Sequence, residues 1–281
     1  MQIYINGKFY PEQDAKISVL DHGLLYADGI FETLRTYNGK IFKISEHVER
    51  LFYSAEKIGL KIPLGKKEIE SALISSVERN NLNEAYIRIT VTRGTGDIGY
   101  TSKCVPNVII IAKKFHQYPS QIYAKGVSVV TYSAERFLPE VKSTNCLALV
   151  LAKNYAQGKK SFDALLVDRD GFVTEGTVTN VFFVKNNVVY TPEESILRGI
   201  TRDIVISIAK KEFSIREQEI SKKEIFNFDE CFVTNTSTEL VPVVVVDGKK
   251  IRDGNPGRIW KVLSEKFKLV VEKYYAERDK N

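Results

Sequence analysis

The apolar positions of this chain change period several times, and each change predicts an element. Residues 1–20 alternate as two strands around Asn6-Gly7, and Gly29 to Lys43 repeats the alternation around Asn38-Gly39; both dipeptides favour tight hairpin turns. Val48, Leu51, Phe52, Ala55 and Ile58 then fall on one face at helical spacing, which predicts a helix with Ser45 as N-cap and Gly59 at its end. A second helix is expected near 66–80, then strands at 85–93 and 105–113. Together these make an α+β unit.

His116 to Gly126 carries Pro119 and polar residues without a clear period, and reads as a linker. Beyond it the pattern predicts strands at 127–133, 164–168, 181–185, 188–191 and 230–234. Helices are expected at 146–157, 201–212 and 256–267, with a hairpin at Asp247-Gly248. The expected organisation is one domain over 1–117, a linker over 118–126 and a larger domain over 127–281, with a cleft between the two.

Composition narrows the class. A hydrophobic share of 43% in 281 residues suits a soluble protein with a sizeable core. The net charge of +6 comes from evenly spread lysines and arginines, so a solvated surface is favoured over a nucleic-acid interface. Cys104, Cys146 and Cys231 lack any C-x-x-C spacing, which points to reduced thiols in a cytoplasmic protein and to no metal site. The alternating N-terminus reads as a hairpin rather than a signal peptide, and the apolar runs at 108–112 and 240–246 are too short to span a bilayer.

Three separated features suit three parts of one cofactor, pyridoxal 5′-phosphate. Lys142, placed before the apolar Leu147, Ala148, Val150 and Leu151, is a candidate amine for its aldehyde, since desolvation favours the neutral, nucleophilic form. Glu175, in Val173-Thr174-Glu175-Gly176-Thr177, can face a pyridine nitrogen and keep the ring an electron sink. Gly199-Ile200-Thr201 opens a helix, whose free amides and dipole attract phosphate. Arg50 could add a charge-assisted bond to that phosphate, or pair with Glu46 or Glu49. Thr234, Thr236, Ser237 and Thr238 form a hydroxyl-rich turn suited to an anion. Each feature alone is ordinary; their order is not.

With these residues in place, the chain resembles the class IV, fold-type IV, pyridoxal-phosphate enzymes. The resemblance runs through Asp21 to Tyr26, Gly29 to Glu32, His47 to Leu51, Lys142 to Asn145, Val173 to Phe182 and Leu197 to Asp203. It implies an α+β fold of two domains, a small α/β N-terminal domain and a larger pseudo-barrel C-terminal domain, assembled as a homodimer. It implies Lys142 as the Schiff-base lysine and Glu175 as partner of the pyridine nitrogen. Arg50, Ile200, Thr201 and Thr236 would hold the phosphate, and Leu197 would pack on the ring. The implied reaction is ping-pong transfer of an amino group between an amino acid and 2-oxoglutarate.

Within that family, Tyr86-Ile87-Arg88, Arg35, Phe31 and Tyr26 are similar to substrate-contact positions of branched-chain aminotransferases, and Ser237 and Thr238 are further candidates. D-amino-acid aminotransferases carry a carboxylate-trapping arginine and histidine where this chain has Ile98 and Tyr100. Cys146 stands where branched-chain enzymes have a tyrosine, and Phe31 to Arg35 also look partly like aminodeoxychorismate lyases. L-branched-chain transamination is therefore the expected activity, with D-amino-acid transamination and the lyase reaction as alternatives.

Overall fold

The computed structural model describes residues 1–101 and 103–278. Its chain forms two compact units, Met1–His116 with Val141–Asn145, and Gln117–Glu140 with the chain from Cys146 onward.

The first unit is a sheet covered by helices on one face. Its elements are β1 (Gln2–Ile5), β2 (Lys8–Pro11), α1 (His22–Tyr26), β3 (Gly29–Tyr37), β4 (Lys40–Ile41), α2 (Ile44–Lys57), α3 (Lys66–Arg79), β5 (Ala85–Thr95) and β6 (Val105–Lys114). The strands pair antiparallel in the order β2-β1-β6-β5-β3-β4. Alternation decides which side chains enter the core: Ile30 and Leu34 of β3, Ile87, Ile89 and Val91 of β5 and Ile110 and Ala112 of β6 are all buried. Val48, Leu51 and Ala55 of α2 are buried too. Each large apolar side chain so buried stabilises the unit by roughly 1.5–3 kcal/mol before entropy is counted. Ser45 does not cap α2. The helix starts at Ile44, and Lys43 before it is left-handed at φ 53°, so the tight exit from β4 puts Ser45 inside the first turn.

Residues 141–145 are long-range in sequence yet local to this sheet. Ser143 bridges Ile30 antiparallel, Phe31 N–H donates to the Lys142 carbonyl at 2.9 Å, and Thr144 N–H donates to the Gly29 carbonyl at 2.8 Å. The segment thus pairs with the start of β3.

The second unit contains α4 (Gln121–Ala124), β7 (Val127–Ser133), α5 (Leu147–Gly158), β8 (Asp163–Val167), β9 (Val173–Gly176), β10 (Asn180–Lys185) and β11 (Val188–Thr191). It continues with α6 (Ile200–Glu212), β12 (Ser214–Glu217), β13 (Glu230–Asn235), β14 (Glu239–Val246), β15 (Lys249–Lys250) and α7 (Arg258–Arg278). The strands form one mixed sheet, β12-β11-β10-β13-β14-β7-β8-β9, with β15 beside β14. α5 makes the crossover between the parallel pair β7 and β8. Phe182 stacks on Phe232 across β10 and β13 at 4.9 Å, and both rings are fully buried. The region read as a linker carries α4, and α7 runs well beyond the expected end at 267. The α+β class expected from the sequence is the class observed.

Candidate active site

The first unit offers an amine, an aromatic ring and a guanidinium on the sheet face opposite α2. Phe31 and Thr33 of β3 and Tyr86, Arg88 and Thr90 of β5 share that face by register, Phe31 opposite Thr90 and Thr33 opposite Arg88. All five are partly exposed. The Arg88 guanidinium lies 3.7 Å from the Phe31 ring centroid, with its Nε donating to Thr90 Oγ1 at 3.3 Å. Lys142 Nζ stands 4.8 Å from the same ring. The Tyr86 hydroxyl is 3.5 Å from Thr33 Oγ1.

The apolar neighbour of Lys142 is therefore Phe31 rather than the residues expected from sequence order. Leu147, Val150 and Leu151 are half or more exposed; Lys142 belongs to the first unit, whereas these residues belong to α5 of the second. Its backbone N–H donates to Ser54 Oγ of α2 at 3.2 Å, which fixes where the side chain begins.

Arg35 and Tyr26 are engaged elsewhere. The Arg35 guanidinium lies between the rings of Tyr37 and Phe115, at 3.8 and 4.0 Å, with Glu84 at 3.5 Å. Tyr26 ends α1, where its hydroxyl accepts from Gly99 N–H at 3.0 Å and its ring packs on His22 and Tyr100. Ile98 and Tyr100 on that loop are well exposed.

Arg50 finds neither Glu46 nor Glu49. Its Nε and Nη2 donate to the two oxygens of Glu32, at 2.7 and 2.8 Å, and His47 Nδ1 donates to Glu32 Oε2 at 2.8 Å. Glu32 is completely buried on the helix-facing side of β3. Burial alone would raise its carboxyl, but the charge and hydrogen bonds of Arg50, joined by His47, outweigh that and hold it well below the usual carboxylate range. Burial likewise pushes His47 below its usual value, against the pull of Glu32. Lys142 is close enough to add to that lowering.

In the second unit Glu175 and Leu197 meet directly. Glu175 Oε2 accepts from Leu197 N–H at 3.0 Å, and Oε1 accepts from Arg136 Nη1 at 2.8 Å. Arg136 Nη1 also donates to the Pro139 carbonyl at 2.8 Å, which anchors the guanidinium in its own loop. Arg136, Thr174, Glu175, Arg169 and Ser195 are among the residues lining a polar cavity of about 160 Å³.

Beside this pair, α6 begins at Ile200 behind Gly199, with no side chain capping its first amides. Asn180 Nδ2 donates to the Leu197 carbonyl at 2.8 Å, and a Cβ on Gly199 would stand 2.1 Å from Asn180 Oδ1. Only glycine lets the helix start this close to β10. Thr234 lies opposite Asn180 across the sheet, and its hydroxyl is buried with no hydrogen-bond partner. The next turn is held from inside: Asn235 Oδ1 accepts from Ser237 N–H, Thr238 N–H and Thr238 Oγ1 at 2.7–3.0 Å. Thr236 sits partly exposed within it, and Thr201 is buried in the first turn of α6.

These groups fit pyridoxal phosphate. The fit rests on uncapped amides at a helix start, an orphaned hydroxyl across the neighbouring strands and a carboxylate with fixed orientation. Among the residues that motifs do not single out, Glu32 was visible as a charge where β3 alternation calls for an apolar side chain. Arg136 had no such signal, since its role comes from a loop closing on a residue 39 positions away.

Similarity to known proteins runs along the whole chain. The family described as Amino-transferase class IV matches residues 29–246. A putative branched-chain-amino-acid aminotransferase of Methanocaldococcus jannaschii is 44% identical, covering 98% of each chain. A D-alanine aminotransferase of Bacillus licheniformis is 34% identical, covering 96% of this chain and all of its own. The crystal structure of a branched-chain amino acid aminotransferase from T.th. with pyridoxamine 5′-phosphate superposes with a TM-score of 0.90 at 34% identity, covering 94% of this chain and 92% of that one.

Proposed function

The chain belongs to the class IV aminotransferase family and is a pyridoxal-phosphate-dependent transaminase; from that premise we propose that it moves amino groups between L-branched-chain amino acids and 2-oxoglutarate. The observation that carries this reading is that the Lys142 amine and the Arg88 guanidinium, a cation suited to a substrate carboxylate, both stand over the Phe31 ring.

Each residue has a role its geometry suits. When bound, the cofactor supplies an aldehyde that takes an amine and a ring that stores the electron pair left when an α-proton departs. Lys142 would hold the cofactor through its amine, and the same Nζ would move the proton on and off the substrate α-carbon. Glu175, oriented by Arg136 and by Leu197 N–H, would face the pyridine nitrogen. Arg50, the amides of Ile200 and Thr201, and Thr236 would hold the phosphate, and Leu197 would pack on the ring. Arg88 would pair with a substrate carboxylate and Tyr86 would stand beside it, while Phe31 would supply apolar pocket wall.

Two further properties accompany the activity. Leu147, Val150, Leu151 and Tyr155 are exposed at helical spacing on α5, an apolar stripe that supports a homodimer and predicts a dimer mass in light scattering. Among the described residues no helix is long and apolar enough to cross a membrane. Among the described residues Cys104, Cys146 and Cys231 form no disulfide, which supports a reducing cytoplasm as the location.

A panel of L-leucine, L-valine, D-alanine and D-glutamate against 2-oxoglutarate tests the substrate class, with aminodeoxychorismate as the lyase control. The L-branched-chain substrates should react at least about 100-fold faster in kcat/KM, the scale of a misplaced carboxylate contact. Faster turnover of D-alanine would overturn the reading in favour of the D-specific alternative, which the 34% identity to a D-alanine aminotransferase supports.

A further inference from the structure

We infer that Glu32, together with His47, is a positioning residue for the cofactor phosphate, acting through Arg50. This inference rests on the assignment of Arg50 to the phosphate.

Glu32 occupies a face of β3 that otherwise carries apolar side chains. Its neighbours on that side, Ile30 and Leu34, are fully buried, as a helix-covered face requires. A carboxylate placed there loses its water, and only complete pairing makes that tolerable. The pairing is complete. Arg50 contributes a two-pronged fork, Nε to Oε1 and Nη2 to Oε2, and His47 contributes Nδ1 to Oε2. His47 and Arg50 are three residues apart on α2, so both reach Glu32 from one helix face.

That geometry does more for Arg50 than a single ion pair could. A fork holds the guanidinium plane in two directions, and the imidazole stops the carboxylate from turning with it. The Arg50 side chain remains partly exposed while Glu32 is not, 12% against 1%. One edge of the guanidinium is therefore clamped in the core while the side chain keeps some exposure. An arginine clamped in this way meets an anion without first losing side-chain freedom, which is the source of affinity from preorganisation. An apolar residue at 32 would suit the core equally well and would leave Arg50 unheld.

Cofactor binding to the apoprotein tests this, comparing pyridoxal phosphate with pyridoxal, which lacks the phosphate. Arg50→Ala should weaken pyridoxal phosphate about 100-fold and pyridoxal less than about threefold, as loss of a charge-assisted phosphate contact predicts. Glu32→Gln should weaken pyridoxal phosphate roughly 10- to 30-fold with the same selectivity, and His47→Gln about threefold to tenfold. In the Arg50→Ala background, Glu32→Gln should add almost nothing. A Glu32→Gln effect that is equal for both ligands, or fully additive with Arg50→Ala, refutes the inference and makes the cluster a structural ion pair. Should Arg50→Ala show no phosphate selectivity, the assignment of Arg50 fails and the inference with it. If Glu32→Gln does not fold, His47→Gln with and without Arg50→Ala separates the same outcomes.

Discussion

Each unit of the chain buries one carboxylate against an arginine, and the two are built differently. Glu32 in the first unit has three charged or polar side-chain bonds, all within the packing of β3 on α2. Glu175 in the second has one arginine and one backbone amide, and it lines a polar cavity of about 160 Å³. The first arrangement uses the carboxylate to hold another side chain. The second orients a carboxylate while leaving acceptor capacity for something else. Burial and an arginine partner are common to both, so neither identifies a group that meets the ligand.

That contrast can be broken by substitution, and Lys142→Ala sets the upper limit of what any change can do. It should lower kcat by about 10⁴-fold or more if, as proposed, Lys142 both bonds cofactor and moves the proton. Its melting temperature should stay within a few degrees of wild type, because only the partly exposed side chain is lost. Substantial remaining transamination would remove Lys142 from its role. Glu175→Gln keeps the shape and removes the charge; kcat should fall roughly 10²- to 10³-fold, the scale of a lost electrostatic contact at a reacting ring. Glu32→Gln, assayed with saturating cofactor, should leave kcat within about tenfold, because its effect is on binding. Equal losses of kcat in the two glutamate variants would erase the difference between the two carboxylates.

Arg88→Ala should reduce kcat/KM for 2-oxoglutarate about 10- to 100-fold, or about 1.5–3 kcal/mol, while cofactor affinity is retained. A parallel loss of cofactor would mean that Arg88 supports the fold and does not meet substrate. The smallest expected effect is in acid stability. Burial holds His47 below its usual value in the folded chain, so the unfolded chain binds more protons as pH falls through about 6.5, and stability declines. Glu32 stays ionised when folded, so a further decline follows as pH falls below its usual 4.5 and toward its depressed folded value. Chemical denaturation from pH 7 to pH 4 should show both, and His47→Gln should flatten the upper part.

Much of the fold was legible because its signals are local. The hairpin at Asn6-Gly7, the face of α2 and the strand at 127–133 all follow from period and turn chemistry. The start of α2 was not, since the left-handed Lys43 is imposed by the exit from β4 and no residue type announces it. Lys142, Glu175 and the α6 start stood out as candidates from sequence order. What order could not give was their company. Lys142 lies by Phe31 because residues 141–145 pair with β3, and Glu175 lies by Arg136 because a loop folds back on it. Such pairings depend on contacts many residues apart, which periodicity does not encode.

The lysine-bearing segment also bears on how the protein is made. Translation delivers the whole six-stranded sheet and its helices by residue 116, yet the amine arrives only after another stretch belonging to the second unit has been synthesised. A nascent chain paused at that stage would hold a nearly complete scaffold without Lys142. The edge of β3 that receives residues 141–145 would meanwhile stand open, free for a chaperone or a neighbouring chain to pair with first.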